Sequence, residues 1–466
     1  MCLAIGSRRE LFVDDFLIER LEGGAALRLH PPRRREVVFQ VRGPLENACS
    51  GVYSVLVEDD GRYLLYYRGK YPLGGEGGDA SARQTANVAF STDGIHFERP
   101  RLGIYDFGDG GANNVVWQGV QAHNLVPFRD RNPEAEPDRR FKAVGGTGTN
   151  NLYALYSADG LRWRLAREEP LAVPGAFDSA NVAFWDPVIR NYRLFSRVYV
   201  KGRGRSIQSC VSADFIHWSE PVPHQYDETA PVEEFYTNAT TPCPGAEHIL
   251  LSFPMRYVAA RTTPVADISG MDYPGSDAPG MTGITDAVLM SSRDGVHWRR
   301  PFSEAWLRPG PDERNWTHRN NCPAIGILPL REQEWSMYVS EHYGWPDNRL
   351  RRLSLRPWGF ASVGAGRRTG EVLTRPFTFS GRELRLNFST SAVGHLAVEL
   401  QEETGRPVSG FTLDEFPLLY GDRIDHPVAW KGGGDVGALA GRPVRLRVRL
   451  EDADLFAFRF AGSQPE

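Results

Sequence analysis

Five acidic residues stand where they could work on a bond. Asp178, Glu233, Glu234 and Glu46 fall at the entrances of short apolar runs, and Glu341 at the end of one. Cleaving an acetal takes two carboxyl groups, one as acid and one as base or nucleophile. Polar partners accompany them: Asn124, Asn181, Asn238, Asn321, His123, Tyr236, Arg68, Arg197 and Arg256. Sugars offer hydroxyls to carboxylates and amides, and apolar ring faces to aromatics, so this mixture suits a sugar or oligosaccharide.

The elements that must position these groups are strands. Phe177–Tyr192, FDSANVAFWDPVIRNY, reads as a strand entered past Asp178 and Asn181, a turn at Asp186-Pro187 and a return strand. The plan recurs at His123-Asn124, Tyr236-Thr237-Asn238 and Arg319-Asn320-Asn321. Asn124, Asn181 and Asn238 are 57 residues apart, twice in succession (181 − 124 and 238 − 181). A second marker keeps phase with the first. Ser91-Thr92-Asp93-Gly94 leads to Phe97, Ser157-Ala158-Asp159-Gly160 to Trp163, Ser212-Ala213-Asp214 to Trp218 and Ser292-Arg293-Asp294-Gly295 to Trp298. Asp-Gly supplies the positive φ of a tight hairpin. A repeat of this length is the signature of a propeller or a solenoid, and each unit here reads as a propeller blade. Four copies are clear, and a fifth, from Cys322 through SMYVSEHY, lacks Asp-Gly.

The expected fold is all-β: a five-bladed β-propeller over 1–368, then a β-sandwich over 369–466. Glu10–Glu19 is expected to close the ring by joining the last blade, which removes two sheet edges. Leu350–Gly366 is assigned to the propeller rim. Beyond it VLTRPFTF, ELRLNFST, HLAVELQE, PVRLRVRL and LFAFRF alternate as separate strands. If every first strand starts on one face, every second strand ends there. Arg68, Arg197, Arg256, Glu341 and the loops Lys70–Thr85 and Tyr257–Asp286 then share the face of Asp178.

Composition narrows the function classes. Among 466 residues, 54 basic against 58 acidic give a net charge of −4, which argues against a nucleic-acid partner. Arg33-Arg34-Arg35 reads as a solvated turn. Five scattered cysteines without a Cys-x-x-Cys pair suit free thiols in a reducing compartment and no zinc site. The eleven histidines lack metal-ligand spacing, so neither metal nor cofactor is expected. No run reaches membrane-spanning length, and the N-terminus has no secretory h-region. The expectation is a cytoplasmic enzyme with no membrane partner, its homo-oligomerisation left open.

Repeated Ser-x-Asp-Gly-x-x-Trp units followed by alternating strands resemble the five-bladed glycoside hydrolases of families 32 and 43. The C-terminal sandwich draws the likeness toward the β-fructofuranosidases of family 32. The resemblance implies Asp178 as transition-state stabiliser and Glu233 or Glu234 as general acid. The family's blade-one nucleophile motif has no counterpart here, and Glu46 is the nearest acid. Asp186-Pro187 imitates the family's Arg-Asp-Pro motif but sits at the distal turn, the wrong end of the strand. The implied activity is exo-acting hydrolysis of a furanoside. An inverting phosphorylase using Arg68, Arg197 and Arg256 for phosphate, or a non-catalytic carbohydrate-binding protein, are the alternatives.

Overall fold

The computed structural model describes residues 2–70, 84–271 and 282–462. It is almost entirely strand and turn. Among the described residues the only helical elements are short 3₁₀ turns. The chain forms two compact units, Pro32–Ser354 and a second made of Met1–Pro31 with Leu355–Glu466.

In the first unit, hydrogen bonding defines a series of small antiparallel meanders. The first runs Val55–Asp59, Arg62–Lys70, Gln84–Ser91 and Val115–Gln118. The second runs Val126–Arg129, Phe141–Gly146, Leu152–Ser157 and Arg164–Leu165. The third runs Val182–Asp186, Asn191–Val200, Gly204–Ser212 and Val222–Pro223. In the fourth, Thr240–Cys243, Ala246–Ser252 and Met290–Ser292 pair, and the hairpin continues as Met255–Thr262 against Thr282–Ala287 with Glu234–Phe235 alongside. The fifth joins Cys322–Pro323, Glu334–Glu341 and Arg349–Leu355 to Arg33–Gln40.

The Ser-x-Asp-Gly marker makes the hairpin between third and fourth strands. Ser91 Oγ accepts from Gly94 N (2.9 Å), and Asp93 Oδ1 accepts from the amides of Ile95 and His96, each at 2.8 Å. Asp159 and Asp294 make the same pair of amide contacts. The third copy puts Phe215, with φ 69°, where the others have glycine. That conformation costs an L-residue about 1–2 kcal/mol. Fully burying a phenylalanine returns about 1.5–3 kcal/mol, so the ring outweighs the strain. Phe215 is fully buried and its centroid lies 5.3 Å from Tyr192 and 5.6 Å from Phe128.

Three of these hairpins are held by a neighbouring meander. Tyr66 donates to Gly160 O (2.8 Å), Arg193 to Asp294 O (2.6 Å) and Ser209 to Gly295 O (2.8 Å). The first hairpin is held by the fifth meander, where Tyr338 donates to Gly94 O (2.6 Å). Apolar cores fill the gaps. Leu152, Phe177, Leu194 and Phe215 pack between the second and third meanders. Leu56, Leu65, Ala324, Tyr338 and Leu350 pack between first and fifth. Backbone bonds Leu56 N to Ile325 O and Ile325 N to Ser54 O, both 2.9 Å, make the same connection.

Closure differs from expectation. The fourth strand of the fifth meander is Arg33–Gln40, contributed from ahead of the first meander. This explains the missing fifth Asp-Gly: no hairpin joins those two strands. The Arg33-Arg34-Arg35 cluster therefore lies on a paired strand, not a solvated turn. Glu10–Leu11 instead pairs with Val444–Ala461, and Ile18–Gly23 with Gly370–Thr374, in the second unit.

The second unit is one hydrogen-bonded ten-stranded sheet around a core that includes Phe377, Phe388, Leu446 and Phe458. Its spine is the pair Glu383–Glu402 and Val444–Ala461. ELRLNFST and HLAVELQE are thus one long strand, as are PVRLRVRL and LFAFRF, because bulges between Thr390 and His395 carry the pairing across the polar gap. The boundary expected at 368 moves to about Leu355, and Ala361–Ala365 pairs inside this unit with Ala26–Leu29.

Tyr338→Phe removes one hydroxyl and leaves Gly94 O buried without it. It is expected to cost about 1–3 kcal/mol. Urea unfolding against the parent protein measures this, and an unchanged midpoint would show that the first and fifth meanders do not depend on the contact.

Candidate active site

The chain enters the first strand of each meander through a polar segment. Tyr53 precedes Val55–Asp59. His123, on the 3₁₀ turn Val120–Asn124, precedes Val126–Arg129. Asp178 precedes Val182–Asp186, Tyr236 precedes Thr240–Cys243 and Arg319 precedes Cys322–Pro323. Second strands end beside them, bringing Arg68 from the first meander and Arg197 from the third.

Asp178 lies at the centre. His123 Nε2 is 2.8 Å from its Oδ1, and Arg197 Nη2 is 3.9 Å from its Oδ2. The Asp178 side chain is 50% exposed, while those of His123 and Arg197 are 14% and 7% exposed. One side of the carboxylate is thus backed by buried cationic or donor groups and the other is open to a ligand. Burial alone pushes the Asp178 carboxyl up, but the His123 hydrogen bond and the fields of Arg197 and Arg319 outweigh it and hold it below its ordinary value. Burial also lowers His123, and Arg68 and Arg319 add to that against the pull of Asp178. At neutral pH the pair is therefore a carboxylate accepting from a neutral imidazole, with the proton on Nε2. His123 Nδ1 is then an acceptor, buried without a hydrogen-bond partner among the described residues.

Arginines and tyrosines surround this dyad. The guanidinium of Arg197 lies 5.7 Å from the Tyr236 ring centre, and that of Arg319 lies 5.4 Å from it. Arg68 lies 5.4 Å from the Tyr53 ring. Arg68 and Arg319 both point donors at the Tyr343 hydroxyl, at 3.5 and 3.3 Å. Arg205 sits 5.5 Å from the Tyr236 ring and 4.7 Å from Tyr257. Tyr53 and Arg319 both hold positive φ, 57° and 59°. Each such residue costs about 1–3 kcal/mol, and strain of this kind gathers at working sites. Burial pushes the Tyr53 hydroxyl well above its ordinary value, with Tyr236 and Asp178 adding to the rise, so it is a neutral donor.

The other four acids lie elsewhere. Glu46, 1% exposed, accepts from Tyr67, the Gly43 amide and Arg99. Glu341, also 1% exposed, receives Arg34, Arg349 and Arg351 at 3.0, 3.0 and 2.8 Å. Burial raises Glu341, but those arginines outweigh it and keep it ionised. Both are internal ion-pair centres, so the sequence assignment of Glu46 and Glu341 to catalysis is corrected. Glu233 lies between Arg256 (2.7 Å) and Arg300. Arg256 also grips Asp286 at 2.8 and 2.6 Å, and so is a brace for the extended fourth hairpin rather than a ligand donor. Glu234 bonds Arg205, at 2.7 Å from the guanidinium and 3.2 Å from the amide.

The repeated asparagines do open the first strands, but as fasteners. Asn124 donates to Phe177 O (3.1 Å), Asn238 to Ala180 O (3.1 Å) and Asn321 to Thr285 O (2.9 Å), each joining two neighbouring meanders. Asn181 donates to Phe177 O and Ser179 O within its own entrance. All four are buried, which corrects their assignment to substrate binding. Arg319, Tyr53 and Tyr343 were missed. The signal for Arg319 was present: it precedes Asn320-Asn321 as His123 precedes Asn124. Of the two loops expected to border the site, residues 71–83 and 272–281 lie outside the described residues. Tyr257–Thr262 and Thr282–Asp286 are paired strand rather than loop.

No protein-family model matches the chain, and none of the curated proteins matches it. Solved structures do. An N-acetylgalactosamine deacetylase from F. plautii is 15% identical, with 72% of this chain and 96% of that one covered and a TM-score of 0.43. A family 43 arabinoxylan arabinofuranohydrolase from Bacillus subtilis is 12% identical, covering 91% and 98% at a TM-score of 0.39. A structure from the GH130 family of mannoside phosphorylases is 12% identical, covering 74% and 96% at 0.39.

The Asp178 carboxyl carries a depressed pKa in the folded state. The stability it confers is present above the ordinary carboxylate range and is lost as pH falls through its folded value. His123→Ala removes the hydrogen bond and should raise the apparent pKa of Asp178 toward its ordinary value. NMR titration of ¹³C-labelled aspartate carboxyls reads this directly. An unmoved Asp178 resonance would mean that His123 does not set its charge.

Proposed function

We propose that the protein cleaves a glycosidic bond at the Asp178 cluster, within a five-bladed propeller formed by residues 32–354. The second unit is read as a β-sandwich made from its one folded sheet. The observation that carries the functional reading is the meeting of His123, Asp178, Arg197, Tyr236 and Arg319 at the entrances and ends of strands from successive meanders.

Asp178, ionised and half exposed, suits base, nucleophile or stabiliser of an oxocarbenium-like charge. A proton donor must complement it. Glu234 is the candidate nearer the cluster, because its partner Arg205 stacks on the same Tyr236 ring as Arg197. A substrate group that competes for Arg205 would release that carboxyl. The likeness to β-fructofuranosidases supports a terminal furanosyl residue as the group released. Phosphorolysis, which needs one carboxyl group and an anion site, is the second reading. Turnover that requires phosphate separates the two. A binding protein without turnover is the third.

Asp178→Asn should lower kcat by at least ~10², the loss expected of a focused electrostatic group. Asp186→Asn should leave kcat unchanged, since Asp186 braces the distal turn through Arg193 (2.6 Å) and the Val188 amide (2.8 Å). The reverse pattern would place the chemistry at the other end of the hairpin. Glu234→Gln should slow substrates with poor leaving groups and spare activated aryl glycosides, which need no proton. Equal loss on both would remove Glu234 from the acid role.

A further inference from the structure

Arg197 is 6% exposed, and its Nε has no hydrogen-bond partner among the described residues. Among the described residues its one carboxylate contact is the long 3.9 Å approach to Asp178. Elsewhere in this unit buried arginines are tightly bonded, as Arg193 is to Asp186 at 2.6 Å. Arg68 likewise has no carboxylate partner among the described residues. Its guanidinium bonds Cys49 O at 3.2 Å and approaches Tyr343 at 3.5 Å. Arg319 links the two: it meets Arg68 at the Tyr343 hydroxyl and Arg197 at the Tyr236 ring. Positive charge at this cost of desolvation is retained where an anion completes it.

We propose that Arg68 and Arg197, flanked by Arg319, seat an oxyanion of the ligand: a carboxylate, sulfate or phosphate. Guanidinium forks match such groups in pairs of hydrogen bonds. The proposal rests on the Asp178 cluster being the working site and names what that site accepts. The oxyanion has two sources. It is a substituent on the sugar, making the substrate an acidic glycan, or it is free phosphate acting as a co-substrate.

The test is calorimetric titration of the full chain with inorganic phosphate, sulfate and glucuronate, using neutral glucose as the control. At least one anion should bind, and Arg68→Met and Arg197→Lys should each weaken it by about tenfold or more, near 1.4 kcal/mol. Arg197→Lys keeps the charge and loses the fork, and retained thermal unfolding shows that it folds. Asp178→Asn removes a repelling charge, so it should bind the anion as well as the parent or better while losing turnover. That separates this proposal from the catalytic reading, whose failure would leave anion binding intact. Phosphate that accelerates cleavage of a neutral glycoside identifies the free-ion source. Phosphate that only competes, together with binding of the sugar acid, identifies the substituent. Anions that bind no better than glucose, or that bind both arginine variants like the parent, overturn the proposal.

Discussion

In the unit from 32 to 354 one constraint recurs at three of the four marker hairpins: a tight-turn carbonyl is satisfied by a side chain of a neighbouring meander. Asp-Gly turns bring carbonyls such as Gly94 O and Gly160 O to a buried edge. Water does not reach them there, and an unmet buried carbonyl costs about 1–3 kcal/mol. Tyr338, Tyr66, Arg193 and Ser209 meet that demand. The result sets the relative position of neighbouring sheets at their outer edges. Asn124, Asn238 and Asn321 do the same at the strand entrances. With both ends fastened, the entrance segments have little freedom, and the side chains they carry converge by construction.

That convergence explains why strained residues survive at the site. Tyr53 and Arg319 both sit at positive φ, and each is fixed between a fastened strand and a neighbouring meander. Tertiary contacts outweigh the local cost and aim a phenol and a guanidinium at the region of Asp178. The charge pattern follows. One half-exposed carboxylate faces several guanidiniums, whereas carboxylates such as Glu341 are each surrounded by arginines and closed off. Ion pairs of the second kind hold strands together. The first kind leaves charge available for a ligand.

Much of the architecture was legible in the sequence because its repeat is chemical as well as spatial. Ser-x-Asp-Gly encodes a turn with defined donors and acceptors, and the spacing of Asn124, Asn181 and Asn238 registers the first strands. What the pattern does not encode is which strand comes from a distant part of the chain. Arg33–Gln40 carries three consecutive arginines, of which Arg34 pairs with Glu341 and Arg35 with Glu334, both on the strand Glu334–Glu341. Asp178 and His123 were singled out from their place before a strand, and the structure brings those two side chains together. Glu46 and Glu341 were not distinguishable from them, because sequence shows an acid at a strand end but not the arginines that enclose it. The repeated asparagines misled for a related reason: a conspicuous polar repeat can serve the scaffold.

The account's central claim is that Asp178 is the reacting carboxylate of a sugar site. The most direct measurement is a crystal structure with a bound monosaccharide or a slow substrate analogue. The account predicts the sugar with its anomeric carbon facing the open side of Asp178. A sugar seated away from Asp178, in the second unit or against the distal turn at Asp186, would contradict it.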